Sequence, residues 1–282
     1  MKEVDLANFD VVRYIVKRFG LRMNKKLGQN FLVRHDVVAD IADAAELNPG
    51  DPVLEIGPGI GTLTQALAET GAAVTAVELD EHLLPVLAKT LEHYDNVRVV
   101  HGDILRIDIE EVMNHQPFTV CANLPYYITT PIIMKLLEQK LPIKRIVVMV
   151  QKEVAERMVA VPGHKIYGAL SVSVQYYTQP EMLFEIPPRA FMPAPEVTSA
   201  VVSMTVRQEP PVKLTNEKHF FQVVHAAFQQ RRKTLQNALK NTGLSKEQIK
   251  AALEAADIDG QRRGETLSLD EFAAIANAWD NL

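Results

Sequence analysis

The stretch PVLEIGPGIGTLTQALAET, residues 52–70, changes its hydrophobic period at a run of glycines. PVLEIG (52–57) is rich in apolar strand formers, and GTLTQALAET after it carries a helical pattern. Between them Gly57, Gly59 and Gly61 recur at every second residue. A strand–glycine–helix junction lets a ligand come close to backbone N–H groups at a helix N-terminus. The dinucleotide fingerprint G-x-G-x-x-G fails in register, because position 62 is Thr. What stands is E-x-G-x-G-x-G, headed by Glu55. No G-x-x-x-x-G-K-[ST] loop occurs, so a nucleoside-triphosphate cradle is not expected. Tight turns also demand glycine, so the loop marks the place of a site without naming its chemistry.

The same alternation extends outward. AAVTAVEL (72–79) reads as a strand, EHLLPVLAKTLEHY (81–94) as a helix, and NVRVVHGD (96–103), FTVCANL (118–124) and RIVVMVQ (145–151) as further strands. Such a series predicts an α/β fold with an open, mostly parallel sheet covered by helices on both faces. EMLFEIP (181–187) and SAVVSMTV (199–206) are separated by a Pro-rich turn and no helix, which suits an antiparallel hairpin at one edge of the sheet. After RQEPPVKL (207–214) no strand pattern returns. KHFFQVVHAAFQQRRKTLQNALK (218–240) has Phe220, Val224, Ala227, Phe228, Leu235 and Leu239 at helical spacing. Ser245 with Gln248, and Ser268 with Glu271, are capping-box pairs that open two more helices. Residues 1–207 are therefore expected to form the α/β domain, with a basic segment at 1–34, and 208–282 a small all-helical domain.

Bulk properties narrow the function classes. The chain has 282 residues and is 47% hydrophobic, ordinary for a soluble globular protein, and no window reaches the length of a membrane span. The acidic start MKEVDLANFD has no signal-like apolar core, so a cytoplasmic location is expected. One cysteine, Cys121, sits inside an apolar run and reads as an inert core residue. The eight histidines are scattered, with no pairing that suggests a metal site. A net charge of −5 argues against nucleic acid, but its distribution does not. Residues 1–34 carry eight Lys/Arg against three Asp/Glu; residues 35–115 carry three against sixteen; residues 213–240 carry six against one. Two basic segments thus flank an acidic body, a pattern that can place a positive footprint on one face.

Three successive strand ends carry the chemistry. The glycine loop follows the first, Glu78 closes the second, and Asp103 closes the third in HGD. A carboxylate at such an edge can accept both hydroxyls of a ribose, and open α/β sheets bind ligands over these carboxyl ends. The fourth strand ends in CANLPYYITTPI (121–132), where Pro125 cannot continue a ladder. Asn123 then projects beside the glycine loop. An amide oxygen there, with the Leu124 carbonyl presented by a rigid Pro125, can accept both N–H groups of an exocyclic amine. Tyr126 offers a flat surface for a base to stack on. NKKLGQNFL (24–32) adds a basic loop ending in Gln29 and Asn30, and FMPAPEVTSAVV (191–202) adds Phe191 held between prolines.

The sheet with its glycine loop, Glu78 and Asp103 resembles the Rossmann-like class I S-adenosylmethionine-dependent methyltransferases. KKLGQNFL, EIGPGIGTLT, VELD, GDIL, NLPYYITTPI, QKEVAERM, YGALSV and FMPAPEVTSAVV follow one another in the order of the ribosomal RNA adenine N6,N6-dimethyltransferases. HAAFQQRRKTLQNAL (225–239) and RRGETLSLDEFAAIAN (262–277) resemble its bacterial small-subunit branch. The resemblance spans roughly residues 10–280. It implies that Asn30, Leu32, Gly57, Glu78, Asp103 and Asn123 contact S-adenosylmethionine, and that the target adenine lies between Tyr126 and Phe191, near Asn123 and Leu124. It implies as substrate two adjacent adenosines in a hairpin loop near the 3′ end of small-subunit rRNA, each given two methyl groups on an immature small ribosomal subunit by a monomeric enzyme. Lys25, Lys26, Arg231, Arg232 and Lys233 are candidates for gripping phosphates, the last three on the polar side of the first C-terminal helix. Tyr127, His164 and Ala169 depart from the family's commonest residues, outside the cofactor pocket. Three other readings stand beside this one: a DNA adenine methyltransferase, a large-subunit rRNA methyltransferase of the resistance type, and a non-catalytic ribosome-assembly or nucleic-acid-binding factor.

Overall fold

The structure, a computed structural model, describes residues 4–21 and 29–281. Helix α1 (Phe9–Arg18) opens on Asn8, whose side chain accepts from the N–H groups of Asp10 and Val11, and buries Val12 and Ile15. A short strand β1 (Phe31–Leu32) and α2 (His35–Ala44) lead into the sheet. There follow β2 (Pro52–Ile56), α3 (Thr62–Glu69), β3 (Ala73–Glu78), α4 (Leu84–Thr90), β4 (Val97–His101), α5 (Ile109–Val112), β5 (Phe118–Asn123), α6 (Thr129–Glu138) and β6 (Ile143–Gln151). The expected helix at 81–94 is a 3₁₀ turn, Glu81–Leu83, followed by α4. Pro85, without an N–H, fits only the first turn of a helix, so α4 starts there.

Seven strands form one sheet in the order β4-β3-β2-β5-β6-β9-β7, where β7 is Thr178–Ile186 and β9 is Ser199–Val206. Strands β4, β3, β2, β5 and β6 run parallel, with registers such as Val53↔Val74 and Val120↔Ile146. Their central members are buried on both faces: Phe118–Ala122 of β5 and Ile146–Val150 of β6 are all buried, as two-sided helix cover requires. Strand β9 is antiparallel to β6, pairing Met149 with Val201, and lies between β6 and β7. Sequence order and spatial order therefore differ at this edge, since β7 precedes β9 in the chain but sits outside it. The mostly parallel sheet with an antiparallel edge is the fold expected from the sequence. A separate two-stranded sheet joins β1 to β8 (Phe191–Met192) through Phe31↔Met192 and Leu32↔Phe191.

The chain divides into two compact units, with a cut at 206/207 and two more upstream of it. One holds residues up to Ala155 together with Glu181–Val206; the other holds Glu156–Pro180 and Arg207 onward. The upstream cuts fall inside α7 (Lys152–Val159) and inside β7, and the third falls at the end of β9. The reason is packing in the second unit. Tyr167, and Val172 and Tyr176 of α8 (Ala169–Tyr177), join one apolar cluster with Phe220, Leu235 and Phe272.

The rest of the second unit is α9 (Glu217–Gln229), α10 (Leu235–Ala238), α11 (Lys246–Ala255) and α12 (Leu269–Asp280). Both predicted capping boxes are present, Ser245 with Gln248 and Ser268 with Glu271. Gly264 permits a close approach, because a Cβ there would lie 2.8 Å from that of Ala227. The predicted helix over 218–240 is broken. α9 ends at Gln229, and residues 230–234 form a turn before α10. The N–H groups of Leu235 and Gln236 turn to the carbonyls of Arg262 and Gly260, at 2.7 and 3.0 Å. These long-range bonds replace the helical ones. The apolar residues read at helical spacing are still core: Phe220, Val224, Ala227, Leu235 and Leu239 are buried.

Candidate cofactor and substrate pocket

The parallel strands end on one side, and a cavity of the first unit opens there, with about 1000 Å³ of empty space, its mouth included. The sheet reverses its winding between β2 and β5, the switch point at which such folds bind ligands.

The glycine loop forms the floor. Gly57, Gly59 and Gly61 all have positive φ, at 69°, 62° and 94°. At Gly59 a side chain would be strained, and its Cβ would also lie 3.1 Å from the Phe31 ring. At Gly57 a Cβ would meet nothing within 4 Å among the described residues, so that backbone faces open space in the cavity lining. Gly61 is the N-cap residue of α3, and a Cβ there would come within 3.1 Å of the Leu91 side chain.

Glu78, buried at the end of β3, is held by two backbone donors. The Gly59 N–H lies 3.2 Å from Oε2 and the Asp80 N–H 2.8 Å from Oε1. Burial pushes its carboxyl pKa up, and these two N–H groups oppose that rise. Asp80 also accepts from Gln29 Nε2 at 2.8 Å, which ties the segment before β1 to the same corner. Asp103 caps the turn after β4 by accepting from the Leu105 N–H, and its Oδ2 lies 3.4 Å from Arg106 Nε.

At the end of β5, Asn123 lines the cavity and its Nδ2 donates to the Asn30 carbonyl at 3.4 Å. The Leu124 side chain is buried and its N–H bonds to the Met149 carbonyl, so the chain is held on both sides of the carbonyl of interest. Pro125 has φ −60° and ψ 128°, and its carbonyl receives the Ile128 N–H and the Thr129 hydroxyl. The 3₁₀ turn Tyr126–Ile128 is thereby closed. Tyr126 is half-buried, and its hydroxyl lies 2.6 Å from Ser199 Oγ. Burial pushes its phenol pKa up, so the group stays neutral.

Of the residues singled out from the sequence, Asn30, Leu32, Gly57, Glu78, Asp103, Asn123, Leu124, Pro125 and Tyr126 line this one cavity. Phe191 does not. It is buried in β8 opposite Leu32, in an apolar cluster with Ala190 and Val201. Lys25 and Lys26 lie outside the described residues. Arg231, Arg232 and Lys233 are exposed in the turn between α9 and α10, not on a helix face. Arg231 is engaged there: its guanidinium donates to the Lys165 and Tyr167 carbonyls and lies 3.7 Å from Glu265.

Glu55 heads the glycine motif but received no role from the sequence. It is buried, lines the cavity, and among the described residues its Oε2 has no hydrogen-bond partner. Burial, with the Glu78 charge nearby, pushes its pKa up to about 8. A buried carboxyl oxygen, an open glycine backbone and a second carboxylate at a strand end suit a ligand with both a polar end and a nucleoside end. S-adenosylmethionine is such a molecule, and these residues fit it.

A family model described as ribosomal RNA adenine dimethylase matches residues 20–281. Ribosomal RNA small subunit methyltransferase A of Bacillus pumilus is 49% identical over 282 residues, covering 97% of each chain. The protein of the same name from Geobacillus thermodenitrificans is 50% identical over 283 residues, again at 97% of each. Among solved structures, a dimethyladenosine transferase from Plasmodium falciparum superposes with a TM-score of 0.75 at 26% identity, covering 87% of this chain and 95% of that one. The 23S rRNA methyltransferase ErmE gives 0.70 at 28% identity, over 89% of this chain and 100% of that one.

Proposed function

The chain belongs to the ribosomal RNA adenine dimethylase family, and we propose that it methylates N6 of two adjacent adenosines in a hairpin loop near the 3′ end of small-subunit rRNA, with S-adenosylmethionine as donor. The observation that carries this reading is a single cavity lined by Gly57, Glu78 and Asp103 and, beside them, Asn123, Leu124 and Tyr126. When bound, the cofactor supplies an electrophilic methyl group. Everything else is the work of the chain. The adenine amine is a poor nucleophile because its lone pair is delocalised into the ring. Asn123 Oδ1 and the Leu124 carbonyl accept its two N–H groups, favour a pyramidal nitrogen and aim the lone pair. Pro125 fixes that carbonyl, and Tyr126, braced by Ser199, supports the ring. The rate gain comes from positioning and preorganised acceptors.

A stacked adenine could not reach such a pocket, which is why a looped-out base is the substrate. The helical unit contributes a basic turn, Arg232 and Lys233, for phosphates. Its place of work is the cytoplasm, on an immature small ribosomal subunit. The small-subunit substrate is favoured over the large by identity, near 50% to the small-subunit enzymes against 28% to ErmE. The test is transfer of labelled methyl groups to undermethylated small subunits, large subunits and naked DNA in parallel. Incorporation into small subunits alone is expected; incorporation into large subunits or DNA instead would overturn the assignment.

A further inference from the structure

Tyr127 takes no part in the chemistry described so far, although it lines the same cavity. It follows Tyr126 in one 3₁₀ turn, yet the two rings serve different sides. Tyr126 is tied to Ser199, the first residue of β9, which pairs with β6. Tyr127 is 50% exposed, and its phenol pKa is pushed up by partial burial first and then by the nearby Asp103 and Glu78 carboxylates. Those acids follow β4 and end β3, and in the sheet these strands lie on the far side of β2 and β5 from β6 and β9. Their chain neighbours Ile104 and Leu79 also line the cavity, and Leu79 is 44% exposed. Two acids, two aliphatic side chains and a half-exposed aromatic ring thus share one end of the pocket. A flat heteroaromatic ring on a ribose matches that chemistry.

We infer that Tyr127 covers the adenosine end of the methyl donor, so that the paired tyrosines divide the mouth, Tyr126 for the target base and Tyr127 for the cofactor. This rests on the reading of the cavity as an S-adenosylmethionine site. Tyr127 is a positioning residue: it holds the nucleoside and touches no reacting atom. Half of its surface is in water before binding, so covering a base removes apolar area and adds a stacking contact. Stacking on an aromatic side chain lowers dissociation constants by about tenfold per ring.

The test is calorimetric titration of the full chain with S-adenosylhomocysteine and with 5′-methylthioadenosine, which lacks the amino-acid end. Tyr127→Ala is expected to weaken both by about tenfold. Tyr127→Phe, which keeps the ring, is expected to bind both like the wild type, and the thermal midpoint of the ligand-free protein should not move. Small-subunit rRNA affinity should be unchanged in Tyr127→Ala. Equal binding by wild type and Tyr127→Ala would overturn the inference and leave the cavity assignment standing. So would a loss confined to S-adenosylhomocysteine, or a loss of rRNA affinity in place of nucleoside affinity. Failure of the wild type to bind either nucleoside would overturn the cavity assignment and the inference together.

Discussion

Asn123 donates its side-chain N–H to the Asn30 carbonyl, tying the end of β5 to the segment that leads into β1. That bond uses the donor end of the amide, so Oδ1, the acceptor proposed for an incoming amine, is not spent on it. It also links the KKLGQNFL and NLPYY motifs, 93 residues apart in the chain.

Asn123→Ala removes the acceptor while leaving the Leu124 carbonyl and the Tyr126 ring in place. The methylation rate should fall by about 10²–10³-fold, the cost of losing one preorganised polar group. Affinity for small-subunit rRNA should change by less than about threefold, because the contact matters most at the transition state. Parallel losses in rate and RNA affinity would contradict the role.

Glu78→Ala strips two backbone N–H groups, those of Gly59 and Asp80, of their acceptor. Loss of the carboxylate is expected to remove the proposed ribose contact and to loosen the glycine loop together. S-adenosylhomocysteine affinity should drop by about 30-fold or more. Glu78→Gln keeps one acceptor and should fall between the alanine variant and the wild type. Calorimetric titration checks both.

Glu55 makes the ligand-free protein sensitive to pH in a definite direction. Unfolded, its carboxyl titrates near 4.5; folded, near 8. Between those values the folded state keeps a proton that the unfolded state has lost, so raising the pH favours unfolding. This contribution is absent below about pH 4.5, grows up to about pH 8 and is constant above. Glu55→Gln should remove the decline, making the variant more stable than the wild type at pH 8 by on the order of 2–4 kcal/mol. Urea titrations at pH 5 and pH 8 measure the difference, and identical pH profiles for the two proteins would rule the assignment out.

The basic turn separates into two kinds of residue. Arg232→Glu with Lys233→Glu should weaken rRNA binding and lower the slope of log affinity against log salt by about 0.7–0.9 for each phosphate no longer neutralised. Arg231→Ala should instead lower the stability of the helical unit, since its guanidinium serves the Lys165 and Tyr167 carbonyls and Glu265. A salt slope unchanged by the double reversal would remove the turn from the RNA interface.

The sheet and most of the pocket were legible because their signals are local. β2 to β6 are short apolar runs, and the glycine loop, Glu78, Asp103 and Asn123 each mark a strand end. What was not legible depends on distant partners. QQRRKT contains neither Gly nor Pro, and the break at 230–234 arises from bonds to Gly260 and Arg262. Residues 156–180 join the helical unit because Tyr167 and Tyr176 find their core partners more than 40 residues later. Phe191 was expected to flank the target adenine opposite Tyr126, yet it pairs with Leu32 and is buried. Glu55 was visible as a letter of the motif, but its orphaned oxygen is a property of burial alone.

The central claim is that one cavity delivers methyl groups to the N6 atoms of two neighbouring adenines. Its most direct measurement is mass spectrometry of nuclease fragments from undermethylated small subunits, after incubation with isotopically labelled S-adenosylmethionine and either wild-type protein or Asn123→Ala. Two labelled methyl groups on each of two adjacent adenosines of one 3′-terminal hairpin fragment are expected with the wild type, and almost none with the variant. Label on other nucleotides, on a single isolated adenosine, or at equal levels with the variant would contradict it.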